Sequence, residues 1–363
     1  MKSGGSWLRS PAFDLGFIVA PPLLAALAVL SFGFLRAPET PVWGWVVLVV
    51  CVDVAHVYAS IYRTYFDPKE LRRRAALYVN VPVACWAAGV LLYRHSPLFF
   101  WRTLAYVAVF HFIRQQYGFM RIYQHLQGLR SRLDDVLDQA ALYGAMLYPL
   151  AFWHATPGRR FVWFVAGDFA RLPAVAAKLA GWAYAAALAA FFARQVQMYA
   201  RHGRLNWGKV GIVSTTAVSW YVGIVALNSD FAFTATNVLA HGIPYFALVW
   251  LYGHRKWGGA PSWRGLLHRP AAWLLFLLPL IGLAYFEEGL WDVLVWKEHV
   301  SVFAGLALSW EPSSAALALL VPLLALPQST HYVLDAWIWK LDGSNPDLRR
   351  SLFGDGGLTA IRQ

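Results

Sequence analysis

Long apolar stretches alternate with short polar ones along the whole chain. Ten apolar stretches can be marked, at 13–35, 42–62, 75–92, 98–119, 136–153, 174–193, 210–227, 231–251, 271–285 and 315–339. Most approach the ~20 residues that a helix needs to cross ~30 Å of hydrocarbon. The pattern therefore predicts an all-α polytopic bundle of ten transmembrane helices, with residues 1–363 forming one domain. The ninth stretch is short and is followed by an acidic amphipathic tract, EEGLWDVLVWKEH. The first is too long for a cleaved leader and no small-residue cleavage site follows it, so it reads as a span.

Composition supports the same solvent. Hydrophobic residues make up 59% and charged residues 14% of the 363 positions, against about 45–50% and about 25% in soluble domains. So few charges cannot cover a water-exposed surface, which leaves the lipid bilayer as the partner and excludes a disordered chain or a disulfide scaffold. The net charge of +12 is dispersed between apolar blocks rather than gathered into a stripe, so it gives no case for nucleic acid. Instead most Lys and Arg fall in alternate loops: FDPKELRRR, MRIYQHLQGLRSR, ARHGRLNWGK and GHRKWGGAPSWRGLLHR would share one face with both termini. The positive-inside rule makes that face cytoplasmic, in the inner membrane. Trp43, Trp45, Trp153, Trp207, Trp257 and Trp339 lie near predicted interfaces, where amphipathic rings are favoured. Cys51 and Cys85 sit in apolar runs outside any CxxC pattern and read as small core residues.

Polar groups inside hydrocarbon are costly and need an account. Four of the eleven histidines lie within predicted helices: His56, His111, His241 and His331. All four helices run in the same direction under the topology above. Counting to the next basic residue (Arg63, Arg121, Arg255 and Lys340) at 1.5 Å per residue puts the imidazoles ~10 to ~20 Å from the cytoplasmic edge, in one layer. Each also has a polar neighbour at helical spacing: Asp53 in DVAH, Gln115 in HFIRQ, Asn237 in NVLAH and Asp335 in HYVLD. A metal-bound imidazole usually donates its second N–H to such a group. Asp53 and Asp335 suit either that role or direct ligation; Gln115 and Asn237 suit the supporting role. The plain alternative is four helix-to-helix hydrogen bonds.

Arg114 stands one turn beyond His111. It pairs with Asp53 or Asp335, or it holds the polar end of a substrate. Pro322 and Pro327 before QSTH, and the Pro of HGIPY, loosen helices 10 and 8 and favour a cavity beside His241 and His331. Tyr58, Tyr117 and Tyr245 are candidates to line it, with Tyr245 and Arg114 placed nearest the chemistry.

Imidazole with carboxylate suits iron, zinc or copper, and iron with open positions suits oxygen chemistry. HExxH, GxSxG and Gly-rich phosphate loops are absent from the sequence, as are the paired His boxes of membrane desaturases. Single histidines on several membrane helices, and the tract HGIPYFALVWLYGH, resemble the bacterial Brp/Blh family of membrane carotenoid dioxygenases. That resemblance implies non-haem iron held by His56, His111, His241 and His331, and an oxygenase or oxidase acting on an apolar lipid, fatty-acyl, isoprenoid or carotenoid chain, with a redox partner where one is needed. Two other classes remain. His111 with His125, and His241 with His254, are spaced fourteen and thirteen residues apart, resembling a two-haem b-type electron carrier. Buried His, Asp and Arg also build the ion pathways of transporters.

Overall fold

The structure, a computed structural model, describes residues 7–127, 131–303, 311–342 and 344–353. Among them there is no β-strand, and most of each of the ten apolar stretches is helical. The helices are α1 (Pro11–Ser31), α2 (Val42–Arg63), α3 (Ala75–His95), α4 (Pro97–Gln127), α5 (Arg132–Ala155), α6 (Ala174–His202), α7 (Trp207–Ala226), α8 (Asp230–Trp257), α9 (Pro270–Trp296), α10 (Ser314–Leu324), α11 (Leu326–Ile338) and α12 (Pro346–Phe353). Seven of them, α1 to α3 and α6 to α9, are long and apolar enough to cross a membrane. The pair α10 and α11 forms an eighth candidate, and α4 and α5 are long enough but more polar.

α8 is the central helix: both faces are buried along most of its length, whereas α3 and α6 are peripheral. Leu24, Leu27, Leu91, Leu179, Trp182 and Val196 point outward, the apolar exterior expected of a protein solvated by lipid. Interfaces between helices use small residues where backbones meet. A Cβ on Gly242 of α8 would stand 2.6 Å from Val52 Cγ1 of α2, and one on Gly89 of α3 would stand 2.8 Å from Pro322 Cβ of α10.

The tenth stretch is broken. α10 and α11 meet at Ala325 with a bend of 41°, where Pro322 and Pro327 remove backbone donors from consecutive turns. α8, in contrast, continues unbroken through Pro244. The ninth stretch is longer than its apolar core suggests, because α9 absorbs most of the acidic tract. Phe276, Leu280, Ala284, Glu287 and Trp291 recur at helical spacing on its buried side, and Tyr58 of α2 donates to Glu287 Oε2 at 2.7 Å. Neither cysteine is a full core residue; Cys51 and Cys85 are free and half-buried. Trp153 is not at a surface but buried, packed on Phe161 and Phe233.

Buried ion pairs tie the helix ends together at the basic end of the bundle. Lys209 of α7 meets Asp138 of α5 at 3.0 Å, and Lys256 of α8 meets Asp67 at 2.6 Å. Arg63, 1% exposed, lies over the Tyr252 ring and 3.4 Å from Glu70 of the short helix Pro68–Arg73.

Candidate metal centre

α2, α4, α8 and α11 each send one imidazole to a common point. His56, His111, His241 and His331 are all buried, and one ring nitrogen of each lies within 4.8 Å of those of the other three. The rings form a closed circuit: His56 to His241 4.6 Å, His241 to His111 5.0 Å, His111 to His331 4.6 Å and His331 to His56 5.0 Å between centroids, each meeting edge to face. Both nitrogens of His56 and of His241, and Nε2 of His111 and of His331, have no hydrogen-bond partner. Six unsatisfied buried nitrogens at one place is a large penalty, on the order of 1–3 kcal/mol each, unless something binds them. Four nitrogens ~2.1 Å from a single ion lie no more than ~4.2 Å apart. Small ring movements would close this cluster to that size.

Each helix contact around the cluster has an identifiable cause. Gly242 lets α8 approach α2, which sets His241 against His56. Pro244 has no N–H to give Ala240, four residues earlier. Gln116 of α4 fills that gap, donating Nε2 to Ala240 O at 3.1 Å while Thr216 of α7 donates to its Oε1. Gln115 adds a bond to His241 O at 2.8 Å. Phe112 stacks on the His241 ring with 3.6 Å between centroids. α11 is joined to α2 by His331 Nδ1, 2.6 Å from Ser60 Oγ. Ser60 lies 2.9 Å from Tyr245 Oη, and Tyr245 donates to Asp335 Oδ1 at 2.7 Å. Since the Tyr245 proton goes to Asp335, Ser60 donates to Tyr245 and accepts from His331. His331 therefore carries its proton on Nδ1 and turns a bare Nε2 to the cluster.

Tyr245 thus stands where the sequence places it, its ring 5.1 Å from that of His331. Neither Asp53 nor Asp335 belongs to the group of four converging imidazoles. Asp335 lies 3.6 Å from His331 Nδ1 but is engaged by Tyr245, and Asp53 lies 3.8 Å from His56 Nδ1, partly exposed to a cavity. Gln115 and Asn237 do not reach an imidazole nitrogen: Gln115 holds a backbone carbonyl, and Asn237 donates to Phe233 O at 3.0 Å on its own helix. Arg114 is exposed, bonded to the Tyr143 hydroxyl and lying over the Tyr117 ring. With about 100° between successive residues, Phe112, Gln115 and Gln116 lie to one side of His111 and Arg114 to the other, so the guanidinium turns away from the bundle. Tyr117 leaves with it, and Tyr58 faces Glu287.

The haem arrangement does not fit. Between His111 and His241 there is no slot for a macrocycle, because His56 and His331 pack against both rings. His125 packs on Phe353 beside Arg349, and His254 stacks on Trp250 with Nδ1 2.9 Å from His268 O.

A cavity of about 650 Å³ adjoins the cluster on the side away from the basic end, reaching Asp53, Phe112, Asn237 and Tyr332 at its inner wall. Asn237 and Val238 of α8 and Gln328 and Tyr332 of α11 line it, so it lies near His241 and His331, where the proline pattern suggests a cavity. Ser60 and Gln116 are the functional neighbours absent from the sequence reading. Ser60 follows His56 by one helical turn, and Gln116 pairs with a carbonyl that a proline frees, so both had a signal. No family model, no curated protein and no solved structure matches this chain.

Proposed function

We propose that this protein is an intramembrane metalloenzyme in which His56, His111, His241 and His331 hold one transition-metal ion. The observation that carries the reading is the convergence of four buried imidazoles with unpartnered nitrogens, one from each of four helices. A single ion satisfies one nitrogen of each ring, four of the six that have no hydrogen-bond partner. Neutral nitrogen donors suit iron, zinc or copper. We assign iron, which with four imidazoles keeps positions open for dioxygen, and an oxygenase or oxidase reaction on a molecule with an apolar chain. Asp335, Tyr245 and Ser60 orient His331, and Asp53 stands beside His56 at the cavity.

The reading keeps the resemblance to the Brp/Blh dioxygenases, which also place single histidines on separate helices. The PHGxxD-type start of that family is absent here, so carotenoid is one member of a wider substrate class. The distribution of Lys and Arg supports ten spans in the inner membrane with both termini cytoplasmic, an electron donor docking on the basic face.

The test is metal analysis and an absorption spectrum of the detergent-purified protein. Near-stoichiometric iron without a Soret band is expected, with iron lost in the His111→Ala/His331→Ala double variant. Full retention of metal after both changes, or a Soret band that shifts on reduction, would overturn the assignment.

A further inference from the structure

The cavity beside the histidines has a chemistry that a plain hydrocarbon does not need. Five carboxylates line it, Asp53, Asp230, Glu288, Asp292 and Glu298, and among the described residues no Lys or Arg does; His299, stacked on Trp45, is the one base among them. Two of the carboxylates have structural duties. Asp230 accepts from the Thr40 backbone and hydroxyl, and Asp292 accepts from the N–H groups of Glu298 and His299. Asp53 and Glu288 have no cationic side chain against them. Asn237, 3% exposed, also lines the cavity, and its Oδ1 has no hydrogen-bond partner. The lining is also aromatic: Trp101, Trp291 and Trp296 pack together with centroids 5.5 to 5.8 Å apart.

Uncompensated carboxylates at the edge of hydrocarbon call for a cation. Indole faces attract organic cations in particular, and the volume is that of a pocket for a small organic molecule, not of a path for a bare ion. We propose that the cavity binds an amphiphile with an ammonium head group, the head held by Asp53, Glu288 and the indole faces and the chain along Val49, Phe112 and Val238. This names the substrate class of the histidine centre, and as a statement about substrate it rests on the metal reading above. With Asp53 3.8 Å from His56, a head group on Asp53 presents its neighbouring carbons to the imidazoles.

The experiment is calorimetric titration of the full chain in non-ionic detergent, metal-free and metal-loaded. The probes are hexyltrimethylammonium, its uncharged isostere 2,2-dimethyloctane and hexanoate. The ammonium should bind at least tenfold more tightly than the isostere, hexanoate should not bind, and Asp53→Asn with Glu288→Gln should remove the preference. Equal affinity for ammonium and isostere in the wild-type protein overturns the proposal without recourse to any variant. So does an unchanged preference in the double variant. Ammonium selectivity in a protein that takes up no metal would leave this pocket standing and remove the metal reading, so the two failures are distinct.

Discussion

His331 Nδ1 and Ser60 Oγ lie 2.6 Å apart, and through Tyr245 the bond is continued to Asp335. The chain of donors runs one way, from imidazole to hydroxyl to phenol to carboxylate. Its effect is to commit one nitrogen of His331 to a proton and leave the other free for an ion, the usual role of groups behind a metal-bound histidine.

Breaking that chain should weaken metal binding without removing a ligand. Tyr245→Phe and Ser60→Ala are each expected to lower metal affinity about 10–100-fold, measured by competition with a chelator of known affinity. Asp335→Asn should do less, because an amide oxygen still accepts from Tyr245. An affinity unchanged in both Tyr245→Phe and Ser60→Ala would show that the tautomer of His331 does not matter.

The contact between α4 and α8 offers a cycle with a defined sign. Gln116→Ala leaves Ala240 O without a donor and should cost about 1–3 kcal/mol. Pro244→Ala restores a backbone N–H four residues after Ala240, so the double variant should recover part of that loss. Thermal unfolding of the four proteins gives the coupling. Strict additivity would mean that Gln116 does not substitute for the donor that Pro244 lacks.

Gly242 sets the distance between His241 and His56. A Cβ there would sit 2.6 Å from Val52 Cγ1 and 3.1 Å from the Val52 carbonyl, so Gly242→Ala should force α8 from α2. The expected cost is about 1–3 kcal/mol together with a fall in metal content. Val52→Ala should recover part of both by removing the nearer atom. Full metal content in Gly242→Ala would show that the cluster tolerates a wider spacing.

Much of this arrangement was legible in residue order. Helix covers most of each apolar stretch, though only seven helices, or eight with the bent pair, are long and apolar enough to cross a membrane, and His56, His111, His241 and His331 converge as their shared depth predicts. Periodicity gives depth well but direction around a helix poorly. Arg114 shares α4 with His111, and only the buried arc marked by Phe112, Gln116 and Phe119 shows that it faces outward. Asn237 has the right spacing for a partner to His241, yet its amide turns to its own helix because Phe233 O is nearer. The acidic tract after 285 was misread for a different reason: hydropathy cannot see that Glu287 has Tyr58 waiting on another helix. The cavity is likewise assembled from α2, α4, α8, α9, α11 and the segment 162–166, and no local pattern gives its full lining.

The basic end carries a pH dependence of its own. Burial alone would push the Glu70 carboxyl up from its ordinary value of 4.5. The Arg63 guanidinium, with hydrogen bonds from Arg73 and Tyr78, outweighs it and holds the group below that value. A carboxyl lowered on folding stabilises the fold fully above its unfolded value and loses that contribution as pH falls through the folded one. Glu70→Gln leaves Arg63, 1% exposed, without its counter-charge, and should destabilise by about 3 kcal/mol at neutral pH. The gap between wild type and variant should hold down to about pH 5 and narrow at more acid pH, as the wild-type carboxylate is protonated. Thermal unfolding of both proteins across that range measures it. A gap that widens on acidification would mean that Glu70 does not act on Arg63 as an anion.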